Sequence, residues 1–362
     1  MLTKLVPGTD LRVSAISFGA GTSAGLMVGG ERRDQLAAVT AAIELGINHF
    51  DTAPIYGHGA SEVSLGWVLS QVSQEVLVTT KFNVLPEFLL AGDLGPGVLR
   101  SVQASLSRLR RDHIDMLLLH NSVGLGRELH LPPEQRSPHW EMYPMLGIGD
   151  YLGDGGVWQT LLELRERGLV RYFGLGGMNN DPRALRACLA AGAADIFQQN
   201  FNLLHPSAAW PRPATRPFPE SGVAQRRAGS VDFSGVLDLA AGEGVGVSVI
   251  SPLAAGVLTP EAFRGDPAPP VSGRAARFPE PGRFERETDR ARPFEVIARD
   301  AGLGITELAY RYVLGGAGVS TVVGGFSTID QIKDAALAAQ QGSLPEPVLE
   351  QVAAAQRETV RR

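Results

Sequence analysis

Short apolar runs recur along the chain, each closing on Gly, Asp, Lys, His, Ser or Asn, and amphipathic stretches separate them. Eight stand out: VSAISFG at 13–19, INHFD at 47–51, VLVTTK at 76–81, IDMLLLH at 114–120, VRYFGLG at 170–176, DIFQQN at 195–200, VGVSVIS at 245–251 and VSTVVGG at 319–325. Most are apolar on both alternating faces, the pattern of a parallel strand buried between covering helices and a barrel core. Intervening segments such as ERRDQLAAVTAAIELG and GVLRSVQASLSRLR place apolar residues at helical spacing, and several stop on Gly. Eight strand-helix units in unbroken alternation predict a closed (β/α)8 TIM barrel in preference to a doubly wound open sheet. The expected organisation is one barrel domain over residues 1–362.

A barrel of this kind needs only ~250 residues. The 43 Gly and 24 Pro point to where the surplus goes, into turns and long irregular loops. Three Pro-rich, weakly periodic stretches at 121–154, 203–230 and 257–293 each follow a strand, so they are expected at the C-terminal face, walling the mouth where barrel enzymes build active sites.

Composition then narrows the function classes. With 44% hydrophobic and 20% charged residues the chain is not disordered, and a net charge of -5 without a basic run argues against nucleic acid as main partner. The most apolar stretch, 244–258, contains Pro252 and is shorter than the ~18 residues of a membrane span. Cys188 is the only cysteine, which excludes an intrachain disulfide and suggests the reducing cytoplasm. The histidines fall at no metal-ligand spacing, so no metal is expected. Oligomeric state leaves no signal in the pattern.

Ionisable residues close three consecutive strands: Asp51 the second, Lys81 the third and His120 the fourth, with Tyr56 five positions after Asp51. At a barrel mouth each costs desolvation unless it is paired or useful. A phenol with pKa near ~10 delivers a proton poorly to a forming alkoxide unless a cation lowers that pKa. Lys81 is expected to supply the cation, Asp51 to hold Lys81 protonated, and His120 to donate a hydrogen bond to a carbonyl. Such a set delivers a proton but no electrons, so carbonyl reduction further requires a hydride donor.

DTAPIYGHGASE, VTTK, LLLH and VSTVVGGFSTIDQIKDAA, in that order and spacing, resemble the aldo-keto reductase family over residues 13–339, and the GHGASE and GLGGMN segments resemble its bacterial branch containing aldose dehydrogenases. The resemblance implies a nicotinamide cofactor across the C-terminal mouth, Tyr56 as general acid, Lys81 and Asp51 tuning it, and His120 orienting the carbonyl. It further implies cofactor contacts from Gly19, Ala20 and Gly21 beside the ribose, Gln198 at the carboxamide, Asn179 in place of the family's Ser-Asn pair after the fifth strand, and Ser251, Leu253 and Gly256 under the pyrophosphate. Gly324, Gly325, Ser327, Thr328 and Gln331 match the segment around the adenosine phosphate, where a helix N-terminus suits an anion.

Two departures from the family pattern bear on the cofactor. Ile250 replaces the ring that usually stacks on the nicotinamide, and Ser327 stands where many relatives carry an Arg for the 2'-phosphate, with Lys333 the nearest base. The resemblance implies NADPH first, and the missing Arg leaves NADH possible with a smaller margin than in Arg-bearing relatives. His130, Trp140 and Tyr143, in a segment too long and aromatic for a simple connector, are expected to line the pocket for a small carbonyl or sugar substrate. Two other readings stand beside the reductase: a lyase using Lys81 as a Schiff-base amine, and a non-catalytic nucleotide-binding regulatory subunit.

Overall fold

In the computed structural model of the protein, the described residues are 1–128, 144–177, 180–209, 233, 235–267 and 273–361. Eight parallel strands close into a barrel: β1 (Ile16–Gly19), β2 (His49–Asp51), β3 (Leu77–Phe82), β4 (Ile114–Leu119), β5 (Val170–Leu175), β6 (Ile196–Asn200), β7 (Gly246–Ile250) and β8 (Val319–Gly325). The ring closes where β8 pairs with β1, Val323 opposite Ser17. Each strand sends an apolar side chain outward, among them Phe18, Phe50, Val78, Leu117, Phe173, Phe197, Val247 and Val322, into one continuous core with the surrounding helices. Burial of each such side chain contributes roughly 1.5–3 kcal/mol over exposure.

The run at 13–19 does not form one strand. Arg12–Ser14 pairs antiparallel with Thr3–Leu5, and the barrel strand starts afresh at Ile16. Asn48 sets the break, since its side-chain oxygen accepts the Ser14 N–H at 2.7 Å and takes it off any ladder. The resulting hairpin packs Val6, Leu11 and Val13 against Met116, Leu118 and Ile196, closing the N-terminal end of the barrel.

Above that plug the interior is polar, where the alternation predicts an apolar filling. His49 bonds Ser17 Oγ through Nδ1 (2.6 Å) and Thr79 Oγ1 through Nε2 (2.7 Å), and Ser17 also meets Thr321. Four strands supply these bonds, and the hydroxyls of Ser17, Thr79 and Thr321 each have a partner, which makes their desolvation tolerable.

The stretch 257–293 also departs from expectation, because an 18-residue helix, Arg283–Asp300, begins inside it. Pro293 and the density of charge conceal it in the sequence. The charges serve the exposed face through Arg290–Glu287 (2.6 Å) and Arg292–Asp289 (2.9 Å), while Thr288, Ala291, Phe294 and Ala298 are buried. The helix packs against the C-terminal helix Glu346–Arg361. Among the described residues no helix is long and apolar enough to cross a membrane.

Candidate active site

β2, β3 and β4 deliver Asp51, Lys81 and His120 to the same mouth because Asp51 ends its strand, Lys81 is the second-last residue of its own and His120 directly follows its own. Along β3 the side chains alternate, so Thr79 and Lys81 face the interior while Val78, Thr80 and Phe82 face the helices. Tyr56 comes from the turn beyond β2. Its N–H donates to Ala53 O (3.1 Å) and its carbonyl accepts from Ser61 N–H (3.2 Å). Gly57, His58 and Gly59 follow with φ of 60°, 53° and 93°. A Cβ on Gly57 would sit 2.5 Å from Val28 Cγ1 and one on Gly59 2.9 Å from Arg108 Cδ, so this turn needs glycine for space as well as for backbone angle.

Lys81 Nζ donates to Asp51 Oδ1 (2.7 Å) and to the Thr52 carbonyl (2.8 Å) and lies 5.2 Å from the centroid of the Tyr56 ring. Asp51 Oδ2 accepts 2.6 Å from Gln198 Nε2, so both carboxylate oxygens are engaged. Burial pulls the Lys81 ammonium down, but Asp51 and then Tyr56 outweigh it, and its pKa stands above the usual lysine value. For Tyr56, burial raises the phenol and Lys81 lowers it, with a net rise. Lys81 therefore acts in the expected direction, but the expected lowering of the phenol is not reached, because removing a phenolate from water costs more than one neighbouring cation returns. The phenol is held as a proton donor throughout the neutral range.

His120 stands edge-on to Tyr56, ring centroids 6.1 Å apart at 82°. Burial, and then Lys81, hold its imidazole well below the ordinary histidine value, so it faces the mouth neutral, with one ring N–H to give.

The other sequence candidates fall into three groups. Gly19, Ala20 and Gly21 form the loop beside Tyr56: Ala20 N–H donates to Asp51 O (2.8 Å), and a Cβ on Gly21 would lie 3.8 Å from the phenol ring. Ser251, Leu253 and Gly256 lie on the turn after β7, and Gly324, Gly325, Ser327, Thr328 and Gln331 run from β8 into the helix Ile329–Gln340. Asn179, His130, Trp140 and Tyr143 lie outside the described residues. Gln198 reaches the mouth, but its amide hydrogens face Asp51, which leaves its oxygen as the group a carboxamide would meet.

A dinucleotide requires a cradle for two phosphates, and the turn after β7 has the chemistry for it. Ser251, Ala254 and Ala255 take φ of 58°, 48° and 56°, an arrangement costly for residues with a Cβ, and the turn closes on itself through Ala254 N–H to Ser251 O and Gly256 N–H to Leu253 O, each 3.0 Å. Arg274 Nη2 lies 3.3 Å from the point a Cβ on Gly256 would occupy, so a guanidinium stands over the same turn. These residues fit a nicotinamide dinucleotide.

The adenosine end offers less. Ser327 N–H donates to Gln331 Oε1 (2.8 Å), Ser327 Oγ to Ala24 O (2.7 Å), and Lys333 is committed to Asp330 at 3.0 Å on the surface.

Sequence reasoning passes over two supports of this site, Thr52, whose carbonyl fixes Lys81, and Asn202. Asn202 donates to Ser251 O (2.9 Å) and accepts from Leu204 and His205 N–H (3.0 and 2.9 Å), pinning the strained turn to the segment after β6. Its only sequence signal is an amide two positions beyond a strand end, which many loops share.

Known proteins share both the sequence and the shape. L-galactose dehydrogenase of Arabidopsis thaliana is 26% identical over 337 residues, 90% of this chain and 84% of its own. Pyridoxal 4-dehydrogenase of Microbacterium luteolum is 30% identical over 195 residues, and the match spans 46% of this chain and only 53% of that relative. Glycerol dehydrogenase from Gluconobacter oxydans superposes with a TM-score of 0.67 at 21% identity, covering 99% of this chain and 96% of that one. With the Aldo/keto reductase family profile matching residues 15–357 over the barrel and site just described, the chain belongs to that family of oxidoreductases.

Proposed function

We propose that the protein interconverts a carbonyl compound and its alcohol, with Tyr56 as general acid in reduction and general base in oxidation. The observation that carries this reading is the buried chain Gln198–Asp51–Lys81 set beneath Tyr56. The nicotinamide cofactor supplies the hydride when bound. Tyr56 gives its proton to the developing alkoxide oxygen, Lys81 stabilises the phenolate left behind, and Asp51 keeps Lys81 charged. Neutral His120 donates a hydrogen bond to the same oxygen and aims the carbonyl.

Gly19, Ala20, Gly21 and Gln198 are proposed at the nicotinamide end, and Asn179 remains assigned there by resemblance alone. The turn Ser251, Leu253 and Gly256 with Arg274 is proposed at the pyrophosphate, and Gly324, Gly325, Ser327, Thr328 and Gln331 at the adenosine. NADPH stays first with NADH accepted, and the pairing of Lys333 with Asp330 narrows the margin. Substrates are small aldehydes, ketones or sugars, with His130, Trp140 and Tyr143 kept as proposed pocket residues and the cytoplasm as proposed location.

The Schiff-base reading asks Lys81 for a lone pair at neutral pH, and its bonds to Asp51 and Thr52 together with its raised pKa oppose that. The complete set of four argues for turnover over a purely regulatory role. Tyr56→Phe tests the proposal: turnover of generic aldehydes should fall roughly 10²- to 10⁴-fold with cofactor Kd unchanged. Turnover near the wild-type level in that variant would remove Tyr56 from the mechanism, and an imine trapped on Lys81 by borohydride would restore the lyase.

A further inference from the structure

Within the stretch 257–293, the residues from Gly273 onward meet the loop that follows β1. Gly273 N–H donates to Ser23 O (3.1 Å), and a Cβ on Gly273 would lie 2.4 Å from Thr22 O, so the short helix Arg274–Arg277 starts directly on the loop that follows β1. That loop is the one whose Gly21 lies against Tyr56. Arg274 and Arg277, three positions apart, share a face of this one-turn helix. Arg274 is accounted for: it reaches the Gly256 turn and stacks over the Phe284 ring, 4.3 Å from its centroid.

Arg277 is not. Its neighbours have partners: Glu280 meets Arg283 and Arg286 (3.6 and 3.8 Å), Glu287 meets Arg290, and Arg264 meets Asp266. Among the described residues Arg277 has no carboxylate within 4 Å and no side-chain hydrogen bond, although it is near enough to Tyr56 for the two charges to act on one another. Arg277 is exposed, yet surrounding protein and then the neighbouring charge of Arg283 hold its guanidinium below the usual value. Burial first, and then Arg290, Arg277 and Arg283 against Glu287, also lower the His205 imidazole. A guanidinium crowded by protein near the reacting group, with no carboxylate among the described residues within 4 Å, is matched by an anion that arrives with the substrate.

We propose that Arg277 is the anion-recognising wall of the substrate site, so the preferred carbonyl substrates carry a negatively charged group, carboxylate or phosphate. The proposal rests on the assignment of Tyr56 to the reacting end and adds a substrate class to it. Arg277 is a specificity residue here, with no part in proton transfer.

The test measures binding separately from turnover. Protein saturated with oxidised cofactor, in which an aldehyde cannot be reduced, is titrated by calorimetry with 4-oxobutanoate and with its methyl ester. A second pair, glyceraldehyde 3-phosphate and glyceraldehyde, separates phosphate from carboxylate recognition. The wild type should bind the charged member of at least one pair tenfold or more tightly. Arg277→Met should erase that preference while leaving the neutral member and the cofactor Kd unchanged, and Arg277→Lys should keep part of it. Equal binding of charged and neutral members, no measurable binding of either anion, or a preference that survives in Arg277→Met would each overturn the proposal. Weakened cofactor binding in Arg277→Met with both substrates affected alike would place this arginine on the cofactor instead. If the charge preference holds while the wild type reduces neither aldehyde, the reading of Tyr56 fails and the anion site stands.

Discussion

Two buried ion pairs stand on opposite faces of β3. Lys81 points into the barrel and meets Asp51, while Thr80, its neighbour, points out and donates 2.6 Å to Glu62 Oε1, whose other oxygen takes Arg108 Nε at 2.6 Å. Both acids come from the segment after β1, eleven positions apart in the chain, and both are removed from water. The difference lies in what remains unspent. Glu62, Thr80 and Arg108 satisfy one another, and Arg108 spends a further donor on Ser105. Lys81 has three hydrogens and spends two on Asp51 and Thr52, so the third faces the phenol. An ion pair becomes chemistry when one donor of it is left facing a reactive group, and burial alone does not distinguish the two cases.

Lys81→Met should separate them most sharply. It should lower kcat roughly 10²- to 10⁴-fold and also destabilise the fold, because Asp51 is left buried and uncompensated at ~3–5 kcal/mol. Adding Asp51→Asn should restore much of the stability and none of the rate; denaturant unfolding beside steady-state kinetics reads both. Glu62→Gln should cost a similar ~3 kcal/mol by stranding Arg108, yet leave kcat and KM within a factor of about three below its melting temperature. A rate loss on the scale of Lys81→Met would mean that the outer pair also steers Tyr56.

The third buried ionisable layer responds to acid. Burial first, and then Lys81, outweigh Asp51 and Asp115 and press the His49 pKa from 6.5 down to about 4. The unfolded chain therefore takes up a proton that the folded one refuses between those values, so stability is full above about pH 6.5 and falls as pH drops toward 4. Over that window the loss should reach about 3 kcal/mol, His120 adding in the same direction. Chemical denaturation at pH 7 and pH 4.5 checks it, and His49→Gln should flatten the difference. Smallest of all should be cofactor discrimination: Kd for NADPH and NADH within tenfold, with little salt dependence. A thousandfold preference would identify a basic residue outside the described segments at the 2'-phosphate.

Much of this was legible in the chain. The outward faces of all eight strands read as apolar because Phe18, Phe50, Val78 and their counterparts are, and Asp51, Lys81 and His120 announce themselves by ending such runs. The inward polar layer was not, since Ser17, Thr79 and Thr321 are common in strands and only the closed ring brings them onto His49. The helix Arg283–Asp300 escaped because Pro293 and its exposed charges mask a narrow apolar stripe. Arg277 could be seen only as one of seven arginines between 264 and 292; that it meets no carboxylate among the described residues is a fact of three dimensions.

The bond from Gln198 to Asp51 joins positions 147 apart, and it divides the molecule in an unexpected way. Asp51, Tyr56, Lys81 and His120 all belong to the first four strands, whereas the turn after β7 and the β8 segment proposed to hold the dinucleotide belong to the last four. The acid–base set and the proposed pyrophosphate and adenosine contacts thus fall in separate half-barrels, with Gly19, Ala20 and Gly21 the proposed cofactor contacts on the first, and Gln198 bonds the two halves at the mouth. Half-barrels recombined between β4 and β5 could trade cofactor preference without disturbing the proton donor, provided that Gln198 travels with the incoming half.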